Sequence, residues 1–130
     1  MERQAALRLT RRYAAPPAEV WAALTEPDSL ARWLHPSARL ELAPEGSFAL
    51  GRAVSGRVTQ LEPERLLELT WQSRDEEPSV VRFELRPGAG GTVLTLDHSR
   101  LDQRTCMAYG RDWTRAFERL DAELAPVRQS

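Results

Sequence analysis

The chain has 130 residues, 42% of them hydrophobic and 28% charged, which suits one folded core and is unlike the apolar-poor composition of a disordered chain. Its formal net charge is -1, so no positive field exists to recruit nucleic acid or an anionic membrane. No apolar run approaches the roughly 18 residues needed to cross a bilayer, and neither a nucleic-acid nor a membrane partner is expected. No charged-then-apolar leader opens the chain, and its one cysteine, Cys106, cannot close an internal disulfide. A reducing cytoplasm is the expected compartment. All 18 basic residues are arginine, a bias read first as genomic base composition.

Ala6 to Tyr13 alternates loosely and suits a strand, which Pro16 and Pro17 stop. Pro17-Ala18-Glu19 then reads as a helix start, because a first-turn proline lacks only an N–H that would be unpaired there. Val20, Trp21 and Leu24 give helical spacing. Glu26-Pro27-Asp28 breaks that helix, and Asp28 or Ser29 is the expected cap of a second one carrying Leu30, Trp33 and Leu34 before Pro36 ends it.

From Arg39 the period becomes two, with turn signals at Glu45-Gly46, Gly51-Arg52, Glu62-Pro63-Glu64, Arg74 to Pro78 and Pro87 to Gly91. Five or six hairpin-linked strands follow. Their apolar sets are Phe48 and Leu50; Val54, Gly56 and Val58; Leu67, Leu69 and Trp71; Val81, Phe83 and Leu85; Leu94, Leu96 and His98. Arg82, Glu84, Arg86 and Asp97 fall on the opposite face. No second sheet is available to cover the apolar face, so a helix must.

That helix is predicted from about Asp102 to Leu124. Cys106, Tyr109, Trp113, Phe117, Leu120 and Leu124 recur there at spacings of three and four, and Arg111, Arg115, Glu118, Arg119 and Asp121 form a solvated face. At 1.5 Å per residue it is about 34 Å long, enough to lie across the sheet. Pro126 ends it. The expected fold is α+β: a curved antiparallel sheet with two short helices, wrapped around a long C-terminal helix in a helix-grip arrangement, as one domain over residues 1–130.

The stretch Tyr13 to Trp33, YAAPPAEVWAALTEPDSLARW, resembles the opening segment of the START-like (SRPBCC) ligand-binding superfamily. In particular it resembles the branch named for homology to the activator of heat shock protein 90 ATPase. Gly56-Arg57-Val58 with Glu62-Pro63, the strand ending Thr70-Trp71, Gly91 to Leu96 running into His98, and Gly110 to Leu120 with Trp113 are similar to it as well. One departure is Leu34, where many relatives carry a second tryptophan. The resemblance implies the helix-grip fold and a cavity between sheet and long helix. Superfamily members bind lipids, polyketides or hormones, so fold alone does not choose the ligand.

No cofactor and no metal is expected: one cysteine and two distant histidines make no ligand set. The Gly88-x-Gly90-Gly91 run sits between strands rather than before a helix and reads as a hairpin turn, not a phosphate loop. Cys106 is expected to be buried helix packing. A small hydrophobic or amphipathic molecule is the expected partner, with Trp33, His35, Phe48, Trp71, Phe83, Leu96, His98, Tyr109 and Trp113 as candidate ligand-binding residues. No catalytic residue is assigned. A cyclase-like alternative would use His98 for proton transfer, helped by Arg82 or Tyr109 if they point inward. A chaperone-associated module is a further alternative, but the eukaryotic co-chaperones of that branch carry an additional N-terminal domain lacking here, so a chaperone partner is not expected. A homodimer stays open.

Overall fold

The computed structural model describes residues 5–74 and 76–124. Strand β1 (Ala5–Tyr13) leads into helices α1 (Pro17–Thr25) and α2 (Pro27–Trp33). Strands β2 (Ala38–Leu40), β3 (Ser47–Leu50), β4 (Val54–Glu62), β5 (Leu66–Ser73), β6 (Ser79–Gly88) and β7 (Gly91–Leu101) follow, and helix α3 (Gln103–Glu123) closes the described chain. All seven strands join one antiparallel sheet in the order β1-β7-β6-β5-β4-β3-β2. β2 to β7 is therefore a meander. The one long crossing carries the chain from β1, beside β7, to β2 at the far edge, and α1 and α2 are that crossing.

Period-two alternation set the sheet faces. Phe48, Leu50, Val54, Val58, Leu67, Leu69, Trp71, Val81, Phe83, Leu85, Leu94, Leu96 and His98 are all buried on the side facing α3. On the other face Arg82 donates to Glu84 at 2.7 Å and to Glu68 at 3.2 Å, while Arg8 reaches Asp97 at 2.7 Å. Arg82 thus points away from the covered face and cannot assist chemistry there. In β4 the register slips between Val58 and Gln60, so the buried parity ends at Val58 and a half-buried Leu61 resumes one residue out of phase. Gly56 is required in this strand: a Cβ there would stand 1.9 Å from the Thr70 carbonyl oxygen. The Gly88–Gly91 run closes the β6–β7 hairpin as predicted.

The caps refine two boundaries. Helix α3 is capped by Asp102, whose carboxylate accepts from the Thr105 N–H at 2.8 Å. For α2 the cap is Glu26, not Asp28 or Ser29, and Pro27 takes the first helical position as Pro17 does in α1. Neither cap residue makes a side-chain cap bond, so the proline's preset φ defines each start. Pro126, the expected helix stop, lies outside the described residues; within them the helix ends at Glu123.

The charged face of α3 is less solvated than its pattern suggests. Asp121 is half-buried and accepts from the Tyr13 hydroxyl at 2.7 Å, while the Arg11 guanidinium lies 5.5 Å over the Phe117 ring. Burial, then this carboxylate, raises the Tyr13 phenol above its ordinary pKa. Arg119 donates to the Trp33 carbonyl at 3.0 Å and Arg32 to Glu123 at 2.6 Å. These contacts fasten the C-terminal half of α3 to β1 on one side and to α2 on the other. No helix among the described residues is long and apolar enough to cross a membrane.

Candidate functional site

The apolar stripe of α3 is continuous in sequence, yet only its C-terminal half is fully buried. Trp113, Ala116, Phe117 and Leu120 are buried, whereas Cys106 and Tyr109, two turns and one turn earlier, are half-buried and Ala108 and Asp112 are exposed. Cys106 is therefore not the buried packing residue expected. Where the helix stands off, a cleft of about 540 Å³ opens between α3, the α2–β2 connection, the β3–β4 turn and the end of β5. Its apolar surface comes from Leu34, Leu50, Val54, Trp71, Trp113 and Ala116, and its polar surface includes His35, Ser73, Glu76, Tyr109, Asp112, Arg115 and Arg119.

Two hydrogen-bonded relays hold the aromatic floor of this cleft. In the first, the Trp71 indole N–H donates to the Tyr109 hydroxyl at 3.2 Å and that hydroxyl donates to Glu76 Oε1 at 2.9 Å. Burial, the leading cause, raises the Tyr109 phenol pKa, so it remains a neutral donor. In the second, the Trp113 indole N–H donates to His98 Nδ1 at 3.0 Å. Indole is donor-only, so Nδ1 must be unprotonated and Nε2 must carry the proton. Nε2–H then donates to Ser79 Oγ at 2.7 Å, and Ser79 donates to the Trp71 carbonyl at 3.2 Å. The two tryptophans of the floor are thus tied to one another through His98 and Ser79.

His98 is wholly inaccessible, and burial lowers its pKa to about 4. Both ring nitrogens are committed, one accepting and one donating, so the imidazole has no free nitrogen to present to a molecule in the cleft. Its partners are the side chains of Ser79 and Trp113. The rings continue as one cluster, with Phe48 5.6 Å from Trp71, Trp71 5.4 Å from Trp113, and Trp113 6.0 Å from Phe83 by centroids.

Of the nine candidate residues, the structure brings His35, Trp71, Tyr109 and Trp113 to the cleft surface. Trp33, Phe48, Phe83, Leu96 and His98 do not line it and lie in the core; Trp71 and Trp113, which do line it, are themselves only 5% and 2% exposed. Trp33 is the clearest correction. Its indole N–H donates to the Ala23 carbonyl at 2.8 Å and its ring sits edge-on to Phe83 and Phe117, so it joins α2 to the core instead of rimming the opening. His35 follows it in the chain and does reach the mouth. Its Nδ1 accepts from the Ser37 N–H at 2.9 Å, and its ring packs on Gly51, where a Cβ would approach Cε1 to 3.3 Å. Gly51 has φ +55°, the left-handed region that glycine tolerates.

Sequence reasoning missed Thr105, Ala108, Asp112, Arg115, Ala116 and Arg119 on the helix, and Leu34, Ala53, Ser73 and Glu76 opposite. The helical set carries a signal after all: 105, 108, 112, 116 and 119 recur at three and four, one residue ahead of the apolar stripe. Several of these positions hold small residues, which leave volume unfilled. Among the described residues no group of three or more metal-ligating side chains occurs.

Residues 14–125 match the family described as Activator of Hsp90 ATPase homolog 1-like protein. No curated protein matches the chain. Among solved structures, CalU16 from Micromonospora echinospora is 30% identical with a TM-score of 0.81, over 93% of this chain and 75% of that one. MLL2253 from Mesorhizobium loti is 25% identical with a TM-score of 0.83, over 91% and 95%. PFC0360w, an HSP90 activator from Plasmodium falciparum, is 18% identical with a TM-score of 0.79, over 94% and 99%, a likeness of fold.

Proposed function

The chain belongs to the Activator of Hsp90 ATPase homolog 1-like family, and on that premise we propose that it binds a small hydrophobic or amphipathic molecule in the cleft between α3 and the sheet. The observation that carries this reading is the volume of about 540 Å³ over the Trp71, Tyr109 and Trp113 floor. Small-molecule sites typically span about 300–1,000 Å³, are mostly apolar, and contain a few placed polar groups. The floor is also preorganised. Trp71, Tyr109 and Trp113 each have a polar atom engaged by a protein partner, so a guest meets fixed rings at little ordering cost.

A proton-transfer enzyme built on His98 is not favoured, since the imidazole is sealed behind Trp113 and both its nitrogens are bonded. Nothing in the cleft argues for a chaperone partner either. A rise in the ATPase rate of a cognate Hsp90 on adding this chain would reinstate that reading.

The test is a panel of lipids and small apolar compounds read by thermal shift and native mass spectrometry. At least one compound is expected to bind one-to-one and to raise the melting temperature, a ligand at a hundred times its Kd contributing about 2.7 kcal/mol. Ala108→Trp, which places an indole at the exposed cleft wall, is expected to abolish that shift. If no compound raises the melting temperature, or if Ala108→Trp binds as the parent does, the proposal fails.

A further inference from the structure

We infer that the occupant of this cleft is an elongated amphipathic monoanion, its acidic head at the α2 end and its apolar body along the Trp71–Trp113 floor; this rests on the ligand-binding reading above. The polar groups around the cleft are sorted by end. His35, Arg115 and Arg119 belong to the end beside α2, Glu76 and Tyr109 to the end beside the β5–β6 connection, and Asp112 lies between them.

At the α2 end there are three donors. Arg119 is held in place because its Nε donates to the Trp33 carbonyl at 3.0 Å, which leaves its terminal nitrogens. Arg115 lies one turn earlier on the same flank. Neither arginine makes an ion pair within 4.0 Å among the described residues. His35 accepts at Nδ1 from the Ser37 N–H, so the neutral ring carries its proton on Nε2 and offers a third donor. A guanidinium fork matches a carboxylate in plane and in charge, and such bonds are roughly twice as strong as neutral ones.

The acids do not reverse this polarity. Glu76 already accepts the Tyr109 hydroxyl proton at Oε1, at 2.9 Å. Asp112 is three residues from Arg115, but the two make no ion pair within 4.0 Å, and an exposed helical pair at that spacing is too weak to hold Arg115 from a better acceptor. Between Tyr109 and Arg119 the helix advances about 15 Å. A chain of moderate length can therefore lie over Trp71 and Trp113 while its head reaches the arginines.

Decanoate, decan-1-ol and decylammonium share one apolar body and differ in head charge, so calorimetric titration of all three into the full chain tests the inference. Decanoate is expected to bind about tenfold more tightly than decan-1-ol, the equivalent of about 1.4 kcal/mol, with decylammonium weakest. In an Arg115→Gln/Arg119→Gln variant the ratio of decanoate to decan-1-ol affinity is expected to fall to about one. Because Arg119 also fastens α3 to α2, Arg115→Gln alone is measured beside it, with the melting temperature as a check of folding; there the ratio falls partway.

Equal affinities for decanoate and decan-1-ol would overturn the anionic head while leaving the ligand-binding proposal standing. Tighter binding of decylammonium would overturn it in favour of the Glu76 end. An undiminished ratio in the double variant would overturn the placement of the head. Binding of none of the three would overturn the inference, and the compound panel separately decides the broader reading.

Discussion

The two halves of α3 carry one uninterrupted amphipathic stripe and meet different fates. From Trp113 to Leu124 the stripe is at most 5% exposed, keyed to β1 through Tyr13 and Asp121 and to α2 through Arg119 and Arg32. From Cys106 to Tyr109 the same stripe is half-buried, and its flank of Thr105, Ala108 and Asp112 faces the cleft. Periodicity says which side of a helix is apolar, but not what stands opposite. In this fold the C-terminal half closes the core and the N-terminal half borders the cleft.

The largest expected effect tests that contrast directly. Phe117→Ala should destabilise by about 3–5 kcal/mol, because it opens a cavity in a fully packed region. Tyr109→Ala should cost less than half as much in denaturant unfolding while weakening any cleft ligand. Equal losses would mean that both halves are core and would break the comparison.

Acid comes next. His98 has a folded pKa of about 4 against an ordinary 6.5, so below 6.5 the unfolded chain binds a proton that the folded chain refuses. Its contribution is fully present above pH 6.5 and is lost as pH falls to 4, by about 3 kcal/mol at most, after which the loss levels off. Protonation would also set an Nδ1–H against the Trp113 indole N–H. Urea midpoints between pH 7 and pH 4 should fall accordingly, and His98→Asn should flatten that slope. A slope unchanged by the substitution would assign the acid sensitivity to other groups.

Trp113→Phe removes the N–H and leaves His98 Nδ1 buried without its donor, for an expected loss of about 2 kcal/mol by thermal unfolding. Tyr109→Phe should be the mildest change, at about 1 kcal/mol or less, since the hydroxyl links Trp71 to Glu76 at a half-buried position. If Tyr109→Phe were the more damaging, the open half of the helix would be the structurally critical one, and the contrast would have to be reversed.

Much of the fold was legible because burial repeats along regular elements. Phe48, Trp71, Phe83 and Leu96 announced the covered face by parity, and the three-and-four spacing from Cys106 to Leu124 announced α3. The α2 cap was misplaced because Asp28 and Ser29 look like caps, whereas Pro27 fixes the start by its φ angle. The site was legible only in part. Trp33 and Trp71 are alike in sequence, and what separates them is position in the third dimension: one is closed over by Phe117 and Phe83, while the other, although only 5% exposed, has an edge at the cleft. His98 carried the right parity, but its sealing depends on Trp113 and Ser79, residues distant in sequence whose meeting no local pattern encodes. The small residues Ala108 and Ala116 were the overlooked evidence, since a missing side chain can shape a cleft as surely as a large one.

The most direct measurement is a crystal structure of the full chain grown with the tightest-binding compound of the panel. Density lying across Trp71 and Trp113, with Tyr109 still bonded to Glu76 and the Thr105, Ala108 and Asp112 flank of α3 facing the occupied cleft, is the predicted result. A structure in which Ala108 and Asp112 are packed onto the sheet, with no space left between the two layers, would contradict the account.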